Sequence, residues 1–252
     1  MSITTNSLPP VLREAMESAQ VETADGRIVD LNSNISIDEA LTLYKAVRAV
    51  KPRRSVEVGF ACGISTLSIL QALNDNGEGE HNVIDPYQAY FDNVGLAMVK
   101  KAGLEGHFHF HRKFAEEIIP TLPRLQFAFI DASHLFDLSL VEFVLVDKKL
   151  DVGGVISFHD MWMASLQRLM RYILSNRSYE VVHEFDTGLP PSGRSSSIIK
   201  GAIRSFLRSF PKRDKLFKTD ALTSWTDLNI PNLALLRKTA DDKRDWNFHK
   251  EF

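Results

Sequence analysis

The chain has 252 residues, of which 44% are hydrophobic and 25% are charged, with 30 basic against 32 acidic side chains. This composition is typical of a globular protein with a core, and the nearly neutral balance argues against a protein that binds nucleic acid with its whole surface. A single cysteine, Cys62, excludes an internal disulfide and a multi-cysteine zinc module. No apolar run is long enough to span a bilayer, and Met1 to Pro10 lack a signal-peptide pattern, so a cytoplasmic location is expected.

Helices and strands are predicted to alternate from Ser36 onward. Residues 1–35 are polar and are expected to form an irregular accessory segment. Ser36 and Glu39 fit a capping box, which predicts a helix that Pro52 ends. The further predicted strands are 55–59, 81–85, 107–111, 126–131, 154–159, 179–185 and 232–238, and the further predicted helices are 64–74, 89–103, 114–119, 136–149 and 163–175.

This alternation predicts the α/β fold class, with a doubly wound, mostly parallel seven-stranded sheet and helices on both faces. The stretch 186–231 interrupts the rhythm with a Gly- and Pro-rich run and a basic amphipathic segment, in which Lys200, Arg204 and Arg208 recur at four-residue spacing. We interpret it as an insertion. A lid, a dimer arm, a solvated basic segment and a contact with an anionic membrane all stay open for it.

A glycine-containing loop follows the first strand of the alternation, from Glu57 to Gly63. Glycines let the backbone turn tightly and approach a ligand, and ligands of doubly wound sheets bind beyond the carboxyl ends of the strands. The next strand ends in Asp85, whose carboxylate can accept hydrogen bonds from ribose hydroxyls. The pattern indicates a cofactor that contains adenosine. A nicotinamide dinucleotide is the alternative, but its motif needs a third glycine and a closer spacing than this loop has.

Several segments together resemble the class I S-adenosylmethionine-dependent methyltransferases, and most closely the catechol O-methyltransferase-like enzymes that methylate small molecules. Val56–Thr66 resembles the cofactor loop of that family, and Ala115–Leu122 resembles its adenine segment. Phe127–His134 resembles its fourth strand, and Gly153–Asp160 resembles its fifth strand. The resemblance runs from about Ser36 to Ser175. It leaves residues 1–35 and 186–231 uncovered.

The resemblance implies a Rossmann-like methyltransferase domain over 36–252 that uses S-adenosylmethionine. The residues that it implies at the methionine end of the cofactor are Glu57, Gly59 and Gly63. Phe60, Ser65 and Asp131 are also expected to bind the cofactor. Asp85 would hold the ribose, and Ala115 and Glu116 would lie near the adenine.

The resemblance also implies a reactive rim. Asp131 and Asp160 match the two carboxylates that hold a divalent ion such as Mg²⁺ in metal-dependent members, and His134 stands where the catechol enzymes carry a lysine base. Met161 stands where those enzymes have an amide ligand. Neighbouring strands should bring Asp131, His134, Asp160 and also His159 to one rim. There they could form either a metal site or a base that works without a metal. Alternation along the strand leaves open that His159 points back into the sheet.

The predicted function is therefore O-methylation of a small-molecule hydroxyl, with Asp131 and His134 as catalytic residues. The predicted partner is a small-molecule acceptor. Neither binding to nucleic acid nor stable insertion into a membrane is expected, and a homodimer stays open. Two other functions stay open, because a fold does not settle function. One is a protein that binds S-adenosylmethionine without transferring its methyl group, and the other is a nicotinamide-dependent oxidoreductase.

Overall fold

The computed structural model describes residues 3–185 and 230–252. The strands in these ranges are β1 Gln20–Glu22, β2 Ile28–Asp30, β3 Arg54–Val58, β4 Glu80–Ile84, β5 Phe108–His111, β6 Leu125–Ile130, β7 Leu150–Phe158, β8 Tyr179–Val181 and β9 Ala234–Lys238. The α-helices are α1 Pro10–Ser18, α2 Ile37–Val50, α3 Ile64–Asn76, α4 Val94–Ala102, α5 Ala115–Ile118, α6 Phe136–Lys149 and α7 Ala164–Asn176. None of these helices is both long and apolar enough to cross a membrane.

Strands β3 to β9 form one sheet in the order β5-β4-β3-β6-β7-β9-β8. Neighbouring strands from β5 to β7 run parallel, whereas β9 is antiparallel to β7 and to β8. The predicted Rossmann-like, mostly parallel seven-stranded sheet is therefore confirmed. The chain order reverses at β3, which pairs with β4 on one side and with β6 on the other. Such a switch point is where open parallel sheets bind ligands, beyond the carboxyl ends of the strands.

The sheet is buried on both faces. Along β6, Phe127 and Phe129 belong to a core shared with α2 and α3, whereas Ala128 and Ile130 belong to a core shared with α6 and α7. Successive side chains of a strand point to opposite faces, so an unbroken apolar run is what a strand covered on both sides requires.

Helix α2 begins at the predicted capping box. The Ser36 hydroxyl accepts from the Glu39 amide at 3.3 Å, and the Glu39 carboxylate accepts from the Ser36 amide at 2.8 Å. Each side chain satisfies a backbone donor that the first turn leaves without an intrahelical partner.

The prediction of an irregular segment over 1–35 is wrong. Residues in this range form α1 and an antiparallel hairpin of β1 and β2. Pro10 starts α1 in the position where its missing N–H is tolerated, and the buried positions Val11, Leu12 and Ala15 face the core that α2 and α3 share. Polar residues separate these apolar positions, so the apolar face of α1 was not recognised in the sequence.

Several predicted boundaries also shift. β7 begins at Leu150 rather than at Gly154, and β8 is confined to Tyr179–Val181. The predicted helix over 89–103 starts only at Val94, after a 3₁₀ turn at Gln88–Phe91. Most of the predicted insertion, residues 186–229, lies outside the described residues.

Candidate active site and cofactor cleft

A cavity of about 890 Å³ opens beyond the carboxyl ends of β3, β4, β6 and β7. Its walls come from the glycine loop after β3, the residues that follow β4 and β6, the start of α5 and one face of α6. The N-terminal segment contributes residues 33–35. The cavity therefore lies at the switch point of the sheet, where the topology favours a ligand.

Gly59 brings the loop after β3 into backbone contact with the residues after β6. Its φ is +96°, and a Cβ at this position would lie 2.0 Å from the Asp131 carbonyl oxygen. A side chain would therefore separate the two loops that floor the cavity. Gly63 also has a positive φ, of +83°, and its missing Cβ makes room for the Phe60 ring.

Asp85 lines the cavity and holds the glycine loop at the same time. Its carboxylate accepts from the amides of Phe60 at 3.2 Å, Ala61 at 3.3 Å and Tyr87 at 2.7 Å. The Gln88 amide adds a bond to the Ala61 carbonyl at 3.0 Å. These bonds set the shape of the glycine loop where it borders the cavity. The contact of Asp85 with a ribose stays a prediction.

Glu57 is fully buried and does not line the cavity. Its carboxylate accepts from the hydroxyls of Ser65 and Thr66 and lies 2.8 Å from His81 Nε2. It therefore ties the first turn of α3 to β3 and β4. Of the other residues predicted to bind the cofactor through this loop, Gly59, Phe60 and Ser65 line the cavity, and Gly63 does not.

The predicted adenine residues stand at the start of α5. Ala115 is buried and Glu116 is exposed, and both line the cavity. Facing them is Glu142 of α6, which sequence reasoning missed. The sequence feature that could have identified Glu142 is its helical spacing: an acidic side chain follows Leu138 by four residues, on the face of α6 that also carries Val141.

Four polar side chains converge at the other end of the cavity, after β6 and β7. His134 Nε2 lies 3.0 Å from Asp131 Oδ1 and 3.4 Å from Asp160 Oδ2. His159 Nδ1 lies 3.4 Å from Asp131 Oδ2 and 3.5 Å from Asp160 Oδ1. The structure thus brings together the four residues that the sequence placed on one rim, and His159 does not turn back into the sheet.

Both His134 and Asp160 occupy the left-handed region of φ, at +56° each. For residues with a side chain this conformation is unfavourable, by about 1–2 kcal/mol each, so surrounding contacts must hold it. The Ser165 hydroxyl donates to the His134 carbonyl at 2.6 Å, and Trp162 Nε1 donates to Asp160 Oδ1 at 2.9 Å.

Glu39 and Asn232 extend this cluster, and neither was predicted to do so. Glu39 Oε1 lies 3.3 Å from His159 Nε2 and accepts from Asn232 Nδ2 at 2.9 Å. The sequence assigned Glu39 to the cap of α2 alone. In the structure its Oε2 atom caps α2, while its Oε1 atom contacts His159 and Asn232. Asn232 precedes β9, and no local pattern connects it with β7.

The charges of the cluster depend on one another. Burial alone would raise the pKa of Asp131, but hydrogen bonds from His134 and His159 outweigh it and lower that pKa to about 2. Burial alone would lower the pKa of His159, but Asp131 and Glu39 outweigh it and raise that pKa to about 10. The hydrogen bond to Asp131 likewise raises the pKa of His134, against the effect of burial. At neutral pH, Asp131 is ionised and His159 is protonated.

The cluster has a donor set that fits a divalent ion. Asp131, His134 and Asp160 each offer one ligand atom, and these atoms lie within 4.8 Å of one another. Carboxylate oxygens suit Mg²⁺ and Mn²⁺, and an imidazole nitrogen favours Mn²⁺, Fe²⁺ or Zn²⁺. Met161, at the position where the resemblance implies an amide ligand, is buried, and its thioether side chain has no oxygen to offer.

Comparisons with known proteins agree with this architecture. The family described as a methyltransferase domain matches residues 56–161. Tapetum-specific methyltransferase 1 of Arabidopsis thaliana is 30% identical over 138 residues, which are 52% of this chain and 57% of that protein. A caffeoyl-CoA O-methyltransferase of Stellaria longipes is 33% identical over 124 residues, which are 46% of this chain and 49% of that protein. The chain thus spans about half the length of the curated relatives that it matches.

A solved structure supports the fold. The O-methyltransferase from Bacillus cereus, in complex with S-adenosylhomocysteine, superposes with a TM-score of 0.55. The match covers 68% of this chain and 80% of that one at 15% identity. At this identity the likeness establishes the shared fold alone.

Proposed function

We propose that this chain, whose residues 56–161 match the methyltransferase-domain family, is a class I S-adenosylmethionine-dependent methyltransferase that transfers the methyl group of its cofactor to a hydroxyl oxygen of a small molecule. One observation carries the proposal. A single cavity joins the glycine loop at Gly59 to a rim where Asp131, His134 and Asp160 meet. A cofactor seated on the loop therefore presents its methyl group to residues able to orient and deprotonate an acceptor.

The proposed reaction is an in-line displacement. The acceptor oxygen forms a bond to the methyl carbon, the bond between that carbon and sulfur breaks, and its electron pair stays on sulfur. The hydroxyl proton passes to the imidazole of His134, which Asp131 orients through the 3.0 Å contact. Much of the acceleration comes from holding the two reactants in line. The backbone contact at Gly59 and the hydrogen bonds that backbone amides donate to the Asp85 carboxylate hold the loop that would position the cofactor.

The same rim supports a metal-assisted version of this reaction. Asp131, His134 and Asp160 would hold a divalent ion, which would lower the pKa of the acceptor hydroxyl so that its proton could pass to water. In this version His134 would be a ligand of the ion and not the base. Calorimetric titration with Mn²⁺ tests this assignment directly. We expect binding by the wild type and loss of binding in Asp160→Asn. Full turnover in EDTA, together with no measurable Mn²⁺ binding, would show that His134 works without an ion.

The cavity mouth favours an acceptor that carries an aromatic ring. Two exposed aromatic side chains lie at or beside it: Phe114 lines the cavity, and Trp162 contacts Asp160, which also lines it. Trp162 is tied to Asp160 through its indole nitrogen, so a ring lying on Trp162 would bring its hydroxyl to the rim. The name of the Stellaria relative points to the same class, because a caffeoyl group is a phenol. We therefore propose a phenolic acceptor.

Two measurements test the activity. We expect calorimetry to detect binding of S-adenosylmethionine, and chromatography to detect S-adenosylhomocysteine formed with phenols. Asp131→Asn should lower turnover by roughly 100- to 10,000-fold, the usual range for a lost acid–base element. Asp137→Asn is the matched control, since Asp137 is an exposed carboxylate outside the cavity wall.

Two outcomes would replace the proposal. Binding of S-adenosylmethionine without turnover on any phenol or other hydroxyl compound would favour a non-catalytic binding protein. Tighter binding of NADH than of S-adenosylmethionine would favour an oxidoreductase. Homodimerisation and a cytoplasmic location stay predictions.

A further inference from the structure

Glu142 is a carboxyl group on the cavity wall that the proposed reaction leaves unused. The residue is only 8% exposed, and its Oε2 atom has no hydrogen-bond partner in the described part of the chain. Buried polar atoms are nearly always paired, because an unpaired one destabilises the fold. An unpaired acceptor on the wall of a ligand cavity is therefore a candidate for a bond to the ligand.

The surroundings of Glu142 define what the ligand group must be. Helix α6 packs against α5, and Leu138 and Val141 of α6 and Ala115 of α5 line the cavity together with Glu142. The titratable groups that act on Glu142 are Glu116 of α5 and His134 before α6. The wall thus combines apolar side chains with carboxylate acceptors. It suits a flat apolar group that carries a hydrogen-bond donor.

Adenine is that group in the proposed cofactor. In S-adenosylmethionine the ribose lies between the sulfonium and the base. If the methyl group faces His134 and the ribose lies near Asp85, the base extends to the remaining wall, between α5 and α6. Its ring is flat and largely apolar, and its exocyclic N6 amine donates hydrogen bonds.

We propose that Glu142 accepts a hydrogen bond from the N6 amine of the cofactor and thereby makes the cleft specific for adenine over purines that lack this amine. This inference rests on the proposed function, because it needs the cofactor to be S-adenosylmethionine. It assigns Glu142 a role in specificity, separate from the chemistry at Asp131 and His134.

The test compares two ligands that differ at this amine. S-adenosylhomocysteine carries it, and S-inosylhomocysteine carries an oxygen in its place. Calorimetry with the wild type should show tighter binding of the adenosyl ligand. At pH 8, where the Glu142 carboxyl group is ionised, Glu142→Leu should weaken the adenosyl ligand by about 10- to 100-fold, as expected for a lost bond to a charged acceptor, and should leave the inosyl ligand nearly unchanged.

Two further variants separate this role from a structural one. Glu142→Gln keeps an accepting oxygen and adds a donating amide, so it should bind the adenosyl ligand well and the inosyl ligand better than the wild type does. Asp137→Asn changes an exposed carboxylate on the same helix and should discriminate as the wild type does.

Three results would overturn the inference. Unchanged discrimination by Glu142→Leu would remove the contact with the amine. Equal weakening of both ligands by that variant would place Glu142 against another part of the cofactor. Failure of the folded wild type to bind S-adenosylhomocysteine at all would overturn the proposed function itself, and this inference with it.

Discussion

His159 and Asp131 stabilise each other over a wide pH range. The pKa of His159 is raised from 6.5 to about 10, so its contribution to stability is fully present below pH 6.5 and is lost as the pH rises through about 10. The pKa of Asp131 is lowered from 3.8 to about 2, so its contribution is present above pH 3.8 and is lost as the pH falls through about 2. Between pH 3.8 and pH 6.5 both contributions are fully present.

Glu142 is a carboxyl whose pKa shift has the opposite sign. Burial and the neighbouring Glu116 raise its pKa from 4.5 to about 7. The folded protein therefore holds this proton more tightly than the unfolded chain does. Its contribution to stability is fully present below pH 4.5 and is lost as the pH rises through about 7.

Replacing Glu142 by Gln should therefore stabilise the cofactor-free protein at alkaline pH. At pH 8 we expect the free energy of unfolding to rise by about 1–3 kcal/mol relative to the wild type, with a much smaller difference at pH 5. Urea denaturation at the two pH values measures this. Asp137→Asn, which changes an exposed carboxylate of the same helix, is the control. An equal difference for Glu142→Gln at both pH values would contradict the expectation.

Among the elements, the loops after β3 and β6 work as one unit, because their backbones touch at Gly59. Gly77, which ends α3, has a positive φ of +79° like Gly59, but a Cβ there would meet nothing within 4 Å. Comparing substitutions at Gly77 and Gly59 therefore separates two effects on stability: that of the positive φ, which both share, and that of the close backbone contact, which only Gly59 makes.

We expect Gly77→Ala to destabilise the protein by about 1–2 kcal/mol, the usual penalty for a left-handed residue with a Cβ. Gly59→Ala should be worse, because its Cβ would also overlap the Asp131 carbonyl oxygen. Urea denaturation gives the stabilities, and calorimetry gives the affinity for S-adenosylmethionine. Equal stabilities for the two variants, or unimpaired cofactor binding by Gly59→Ala, would show that the two loops move apart freely.

For the molecule as a whole, a buried ionic network joins the last strands of the sheet to α6. Lys238 of β9 is only 2% exposed, and its ammonium donates to the carbonyls of Asp147 at 2.7 Å and Leu150 at 3.0 Å. Asp147 also pairs with Arg177 and accepts from the Tyr179 hydroxyl. The network links β9, which follows residues 186–229, to the parallel part of the sheet.

Lys238→Met should therefore lower the free energy of unfolding by on the order of 3 kcal/mol, because it leaves buried acceptors without their donor. Lys101→Met is the matched control, since Lys101 pairs with Glu22 at the surface and such pairs contribute about 0–1 kcal/mol. Urea denaturation compares the two variants. A loss no larger for Lys238 than for Lys101 would show that the buried network is not needed to hold β9.

The sequence was sufficient for the sheet and for the rim. Alternating apolar strands and helices imply a parallel sheet, and the carboxyl ends of its neighbouring strands share one edge. The resemblance to the methyltransferases assigned Asp131, His134 and Asp160 to two neighbouring strands, so they were expected to meet there. The capping box of α2 and the glycine loop were also readable, because their signals lie within a few residues of one another.

Packing between distant elements settled the rest. Glu57 has the sequence position of a cofactor ligand, yet α3 and β4 enclose its carboxylate. Glu142 meets Glu116 only because α6 packs on α5, and Asn232 reaches Glu39 across 193 positions of the chain. Periodicity reports which face of an element is apolar, but the partner that a polar side chain finds depends on how separate elements come together in space.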